Sequence, residues 1–313
     1  MSRSLIAMRG TALLLCLAAA FPTAAHAAAP AGSEAIAEAA LTKLTKVRYS
    51  YPFLSPDGSR FVLEASVSGN WEIYTLARRG MGDDGEGLVP LTQNSHLDRM
   101  ASWSPDGRYI AFISDRSGNM DVFRMDADGG NVLQITDTPE PEIHPYWAPD
   151  GGTIIYNRRV AGERLYSIWT TDVEGHDHTE LLRDGELNSY AQISPDGKWI
   201  VFDKWWRNDD SNGEIMLMNR AGGSLKRLTR NSVYDGYPAW FPDSERILFS
   251  SEVDGTFKLF SMRIDGSGLT QLTFGDGSDQ RGRVTPDGEF IYFNRNLDET
   301  IEVYEMPLRT KGG

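Results

Sequence analysis

Short runs of β-branched and aromatic residues alternate with polar, glycine-containing stretches along most of the chain. One stretch shows the unit. Met100-Ala101-Ser102-Trp103 leads into Ser104-Pro105-Asp106-Gly107, and the run Tyr109–Ile113 follows. Ser114–Asn119 is polar and reads as a loop, Asp121–Met125 as another strand, Asp126–Gly130 as a turn, and Val132–Thr136 as a fourth strand. The turn is specified chemically: proline presets φ, aspartate bonds its own backbone and glycine accepts a positive φ. It recurs with its proline at Pro56, Pro105, Pro149, Pro195, Pro242 and Pro286, at spacings of 49, 44, 46, 47 and 44 residues. A period in the forties with four strands per unit predicts an all-β fold, a six-bladed β-propeller of four-stranded antiparallel blades. The blades are expected near residues 47–93, 94–137, 138–183, 184–230, 231–274 and 275–308.

The two ends of the array fit that reading. Five units finish on Leu-Thr or a near copy (Leu91-Thr92, Ile135-Thr136, Leu181-Leu182, Leu228-Thr229, Leu272-Thr273), whereas the sixth stops after Ile301–Met306. The missing phrase stands ahead of the first unit, at Leu41-Thr42-Lys43-Leu44-Thr45. An N-terminal strand is therefore expected to complete the last blade, removing open edges that invite aggregation.

Composition changes the picture mainly at the N-terminus. Arg3 and Arg9, the apolar run Thr11–Phe21 and the small-residue site Ala25-His26-Ala27 read as a signal peptide over residues 1–27. An arm with the closing strand (28–46), the propeller (47–308) and a tail (309–313) follow. Cleavage removes Cys16, the one cysteine, so stability is expected from packing without disulfides. No other stretch has membrane-spanning length, and a periplasmic or secreted monomer is expected. The formal charge is −13 and deepens to −15 once Arg3 and Arg9 are lost, which argues against nucleic acid as a partner.

Counting back seven residues from each turn proline gives Tyr49, Asp98, Glu142, Asn188, Asp235 and Asp279. Two residues on stand Tyr51, Met100, His144, Tyr190, Tyr237 and Arg281. In an extended strand both sets face one side, and they are expected to ring the mouth of the central channel. Acids at such a position either cap the adjoining loop or form a socket for a basic segment or a divalent cation such as calcium. The fourth unit adds a longer loop, Lys204–Gly213, with Trp205, Trp206 and Arg207. Adjacent tryptophans cannot both point inward along a strand, so at least one is expected to be exposed as a binding anchor. Trp103, Trp147 and Trp240, each two residues before a turn proline, read as inter-blade core.

Other signals carry less. Gly80–Gly85 spells a nucleotide-type glycine motif but joins two strands and holds two acids. His176-Asp177-His178 lacks further ligands nearby, and Asp126 and Asp128 lack the spacing of a calcium loop. No Gly-x-Ser-x-Gly elbow occurs.

The phrase Asp-x-x-Pro-x-Trp-Ser-Pro-Asp-Gly followed by Ile-Ala-Phe-x-Ser-Asp-Arg-x-Gly resembles the repeat of TolB-type propellers, the PD40 repeat, in all six units. The same repeat type occurs in propeller domains of dipeptidyl-peptidase-like enzymes and in oligogalacturonate lyases. TolB itself places an α/β domain before its propeller, which the resemblance links to the inner-membrane Tol machinery; here only residues 28–46 precede the first blade, and that domain is expected to be absent. A propeller behind a signal peptide, with no assembled catalytic set, is expected to be a non-catalytic cell-envelope protein of TolB-like role that binds a protein or peptide on its loop face, through Asp98, Glu142, His144, Asn188, Tyr190, Trp205, Trp206, Arg207, Asp235, Tyr237, Asp279 and Arg281. The alternative is a metal-dependent, lyase-like carbohydrate enzyme with its metal near His144, Glu142 and Asp98, supported by His96. Fold alone does not decide between them.

Overall fold

The structure, a computed structural model, describes residues 41–44, 49–78, 87–207, 213–297 and 300–308. The expected signal peptide, most of the arm, Gly80–Gly85 and the tip of the Lys204–Gly213 loop lie outside the described residues. The described strands form six four-stranded antiparallel sheets, five of them built from consecutive strands. The first blade runs Tyr49–Leu54, Arg60–Ala65, Glu72–Ala77 and Val89–Pro90 from the channel outward, and the next four repeat that order. In the sixth, Ser278–Val284, Phe290–Leu297 and Thr300–Pro307 are joined by Thr42–Lys43, which pairs Thr42 with Glu305 and Lys43 with Tyr304. The N-terminal strand thus stands on the outer edge of the last blade.

Each Pro-Asp turn closes as its chemistry requires. Gly58 N–H donates to the Ser55 carbonyl at 2.8 Å, and Ser59 N–H to the Asp57 carboxylate at 3.0 Å. The Ser55, Ser104 and Ser194 hydroxyls donate to the aspartate two residues on and accept from the backbone N–H five residues on. These bonds hold the Asp57 carboxyl down at about 2. In the fifth turn Ser244 takes the positive φ that glycine holds elsewhere, and its hydroxyl accepts from Asp196 N–H in the neighbouring turn at 2.9 Å.

The fourth strands are shorter than the pattern predicts: Leu133–Gln134 in place of Val132–Thr136. The threonine of the Leu-Thr phrase takes over the next ladder bond with its side chain. Thr92, Thr136, Thr229 and Thr273 hydroxyls accept from the N–H groups of Ile73, Val122, Ile215 and Leu259 at 2.8–3.0 Å. The core lies between blades, where Trp103 packs with Val62 and Ile73 of the first blade and with its own Ile110 and Phe112. Trp147 and Trp240 likewise reach back one blade, donating to the Ser102 and Gln192 carbonyls at 3.2 and 3.0 Å. The tryptophans at this position are inter-blade core, as the spacing predicts.

Candidate functional site: the two ends of the channel

Every innermost strand breaks its register at the same place. The pairing shifts between Ser50 and Phe53, Arg99 and Ser102, Ile143 and Tyr146, Ser189 and Gln192, Gly236 and Ala239, and Gln280 and Arg283. Within these breaks Tyr51, Met100, His144, Tyr190, Tyr237 and Arg281 all have φ between +52° and +56°. That is the left-handed region, unfavourable for any residue with a Cβ. The next residue is Pro52, Ala101, Pro145, Ala191, Pro238 or Gly282; proline is tolerated there because the ladder is already interrupted.

This bulge corrects the expectation that two rows face one mouth, since the strands are not extended across it. The first row turns into the blades. Asp98, Glu142, Asn188, Asp235 and Asp279 are fully buried, out of reach of a docked partner, and among the described residues they engage side chains rather than the backbone N–H groups that a loop cap would hold. Arg116 donates to both Asp98 oxygens at 2.9 and 3.0 Å, and Arg295 to Asp279 at 2.6 and 2.9 Å. Asn94, Thr138 and Asn231, each four residues upstream, donate to Asp98, Glu142 and Asp235, and Asn188 donates to Asp184. Burial pushes the Glu142 carboxyl up to about 8, with Arg158 Nε 3.5 Å away, and Asp235 up to about 6.

The second row fills the channel. Tyr51 and Tyr190 meet across it with hydroxyls 2.7 Å apart. The His144 ring lies on Tyr190 at 3.8 Å, and the Arg281 guanidinium stacks on Tyr51 and Tyr237 at 4.3 and 4.8 Å. Burial drives His144 down to about 3, so its imidazole is neutral and behaves as another ring. Ring contacts continue outward from Tyr190 to Tyr237, Tyr234 and Trp205 at 4.8, 5.9 and 4.6 Å, with Phe257 against Tyr234 at 5.6 Å. The channel mouth and the fourth-blade loop, separate in sequence, therefore form one aromatic surface. Tyr51, Tyr190, Tyr234, Tyr237, Trp205 and Phe257 are half-buried, and His144 is buried.

Trp205 and Trp206 are both half-buried rather than one in and one out. The strand ends at Trp205, so alternation no longer governs its neighbour. Trp206 turns onto the core of the third and fourth blades, beneath Arg227 at 4.5 Å. Arg207 is exposed and pairs with Glu163 of the third blade.

Two elements of this surface escape sequence reasoning. Tyr234 and Phe257 sit outside the counted rows. A signal for the first exists in Gly213 and Gly236, where a Cβ would lie 2.5 and 2.1 Å from Tyr234; the two glycines make room for that ring. Beneath it Asp203 is buried, accepting from Tyr234 at 3.1 Å and from Ser189, and burial pushes its carboxyl up to about 6.

A metal site of the lyase type does not assemble from the expected residues. His144 Nδ1 lies 3.4 Å from Asn157 Oδ1, His96 pairs with Asp115 at 3.3 Å, and Asp98 and Glu142 are held in their own blades. Among the described residues no three His, Cys, Asp or Glu side chains gather in a way that could hold a metal. His178 Nδ1 instead meets the Tyr156 hydroxyl at 3.0 Å.

At the opposite end of the channel the turns enclose a funnel of about 370 Å³, within the range of ligand pockets. Its rim carries all six turn prolines, its wall includes Trp103, Trp147 and Trp240, and its floor includes Phe53, Tyr146, Gln192 and Arg283. A void of about 20 Å³, the size of one water, separates floor and plug. The floor belongs to a third row, three residues before each proline: Phe53, Ser102, Tyr146, Gln192, Ala239 and Arg283.

The family model of the TolB β-propeller domain matches residues 36–209 and 205–312. A protein of Bacillus subtilis named as the uncharacterised peptidase YuxL is 28% identical over 208 residues, 66% of this chain but 30% of that protein. The chain thus spans under a third of that relative's length. Among solved structures, a protein of Agrobacterium tumefaciens named as a putative TolB superposes with a TM-score of 0.66 at 20% identity, covering 86% of this chain and 97% of the other. An oligogalacturonate lyase in complex with manganese gives 0.59 at 16%, covering 86% and 93%. At these identities the two likenesses establish the propeller alone.

Proposed function

The chain belongs to the TolB β-propeller family, and we propose that it is a non-catalytic binding module of the cell envelope, exported to the periplasm, that holds a protein or peptide segment on its loop face. The observation that carries this reading is the continuous surface of Tyr51, Tyr190, Tyr237, Tyr234 and Trp205, with Arg281 at its centre and Arg207 at its margin. Aromatic side chains and arginine dominate binding hot spots because they give up much water-exposed area at little entropic cost. Here the rings are already braced against one another, so a partner orders few side chains on docking. The partner touches the second row and the fourth-blade loop; the buried carboxylates of the first row brace the loops from beneath. A metal-dependent carbohydrate lyase is the alternative, and it draws on fold likeness, while its required side chains are engaged elsewhere.

The test is affinity capture from a native envelope extract on immobilised propeller, beside a Trp205→Ala/Arg207→Ala variant, with mass spectrometry of retained proteins. Trp206 is left intact because it packs into the core. A protein retained by the wild type and depleted at least about thirtyfold on the variant is expected, the scale of a hot-spot loss. Equal retention on both, or retention no higher than on blank resin, overturns the reading.

A further inference from the structure

Arg283 is the single cation among the six third-row residues, and it faces the funnel at the opposite end of the channel from the aromatic surface. Its guanidinium is held between the Phe53 and Tyr146 rings at 4.4 and 4.8 Å. Of its five N–H donors, one is used among the described residues: Nη1 donates to Gln192 Oε1 at 3.2 Å, while Gln192 Nε2 donates to the Pro238 carbonyl at 2.7 Å. Among the described residues no carboxylate lies within ion-pair distance of Arg283, although aspartate and glutamate outnumber lysine and arginine 44 to 31. Arg60, Arg78, Arg99, Arg116 and Arg295, by contrast, are placed against rings while four of the five also pair with an acid. A pre-oriented guanidinium with free donors at the floor of an apolar cavity is built to take a carboxylate, by paired hydrogen bonds and charge.

The shape and the rim narrow the ligand further. The funnel ends on its floor, since Tyr51, Tyr190 and Arg281 fill the channel beyond, so it accepts the end of a chain and not a through-running segment. Its rim is proline, and its walls are largely apolar, with Trp103, Trp147, Trp240, Leu54, Ile193 and Val284. Each turn also carries an aspartate, set outside the residues that line the funnel; Asp57, Asp106 and Asp287 are exposed and have no ion pair among the described residues, whereas Asp150, Asp196 and Asp243 pair with Arg220, Lys198 and Arg246. A cationic floor below apolar walls complements a peptide C-terminus with a free carboxylate at the tip and apolar last residues, and the exposed aspartates on the turns outside favour basic residues upstream.

We propose that the funnel on the Pro-Asp-Gly face binds the C-terminal end of a polypeptide whose last residues are apolar, with Arg283 taking its carboxylate. The site is separate from the loop-face surface and does not depend on it.

The probe is a fluorescein-labelled hexapeptide, Gly-Lys-Lys-Gly-Leu-Phe with a free C-terminus, titrated with the full chain by fluorescence anisotropy. Its C-terminal amide and the small acid 3-phenylpropanoate, as competitor, form parallel arms. Saturable binding tighter than about 1 mM is expected, weakened at least about tenfold by amidation and by Arg283→Gln, unchanged by Trp205→Ala/Arg207→Ala, and displaced by phenylpropanoate only at far higher concentration than by unlabelled peptide. Equal affinity for acid and amide, full binding by Arg283→Gln, or no saturable binding overturns the proposal. Displacement by phenylpropanoate as readily as by peptide overturns the polypeptide assignment. The amide arm uses the unaltered protein, so the outcome does not hinge on how Arg283→Gln folds.

Discussion

Replacing Leu41 and Leu44 together by alanine tests whether the N-terminal strand closes the ring. Leu41 packs against the cluster of the fifth and sixth blades and Leu44 against that of the first and sixth, so the two side chains tie the seam from both sides. Leu44 N–H also donates to the Val303 carbonyl at 2.8 Å. The Lys43–Glu302 ion pair is partly exposed and adds little. A fully buried Leu→Ala change costs about 2–5 kcal/mol. Both leucines are half-buried, so roughly half applies to each, about 2–5 kcal/mol together. For a domain of this size each kcal/mol lowers Tm by about 2–4 °C, and a fall of about 4–20 °C is expected by differential scanning calorimetry. Losing the strand also bares the edge of Thr300–Pro307, so aggregation on heating should begin earlier. Leu269→Ala supplies the control, with the same chemistry on a side chain that is 52% exposed. If the double variant melts within 1 °C of that control, the strand does not close the ring and the sixth blade stands as three strands.

Glycine substitutions should separate close approach from backbone strain. A Cβ at Gly175 or Gly222 would lie 2.3 Å from the Ile135 or Leu181 carbonyl oxygen of the preceding blade, whereas at Gly266 it meets nothing within 4 Å, and all three have positive φ. Gly266→Ala should cost about 1 kcal/mol and Gly222→Ala at least about 3 kcal/mol in urea unfolding; equal costs would mean the blades do not meet at these turns. Asp203 supplies a pH test. Its folded pKa, about 6, lies above the unfolded value, so its contribution is fully present below about pH 4 and is lost as pH rises through 6. Asp203→Asn should flatten the decline in stability between pH 4 and 7 by about 2–3 kcal/mol; an unchanged slope would place that carboxyl in water.

The fold was legible because the residues that make it recur. The Pro-Asp turn recurs once per blade, a tryptophan stands two residues before the proline in three of the six, and a Leu-Thr phrase or near copy ends five of them, so their period gives blade number and strand order. The candidate site was legible in part. Counting from the prolines finds Tyr51, Tyr190, Tyr237 and Arg281, but the same count sets Asp98, Asp235 and Asp279 beside them, because two-residue alternation holds only along an extended strand. The left-handed residue in each inner strand breaks that alternation, and no single-residue signature announces it: a tyrosine, a methionine, a histidine and an arginine all adopt it. Tyr234 and Phe257 join the surface through contacts between blades, which no period along one chain encodes. Arg283 was one more count away, at the position three before the proline.

The strain in that second row bears on function. Glycine adopts a φ near +54° without penalty, and none of the six positions holds it. Each Cβ there costs about 1 kcal/mol or more, so the row forgoes roughly 6 kcal/mol, part of it offset because glycine would loosen the unfolded chain. Set against the 5–15 kcal/mol that holds a typical domain together, this is a large sum to leave in place. Filling the channel explains some of it, since Tyr51, Tyr190 and His144 pack on one another. Filling alone would be met as well by aliphatic side chains, which need no partners for hydroxyl and guanidinium groups. Arg281 Nε is instead buried with no hydrogen-bond acceptor among the described residues. Strained backbone, polar tips on apolar rings and a buried unpaired donor occur together at one end of the channel. Under the proposed function, recognition at that face would account for all three together, whereas filling the channel bears on the first.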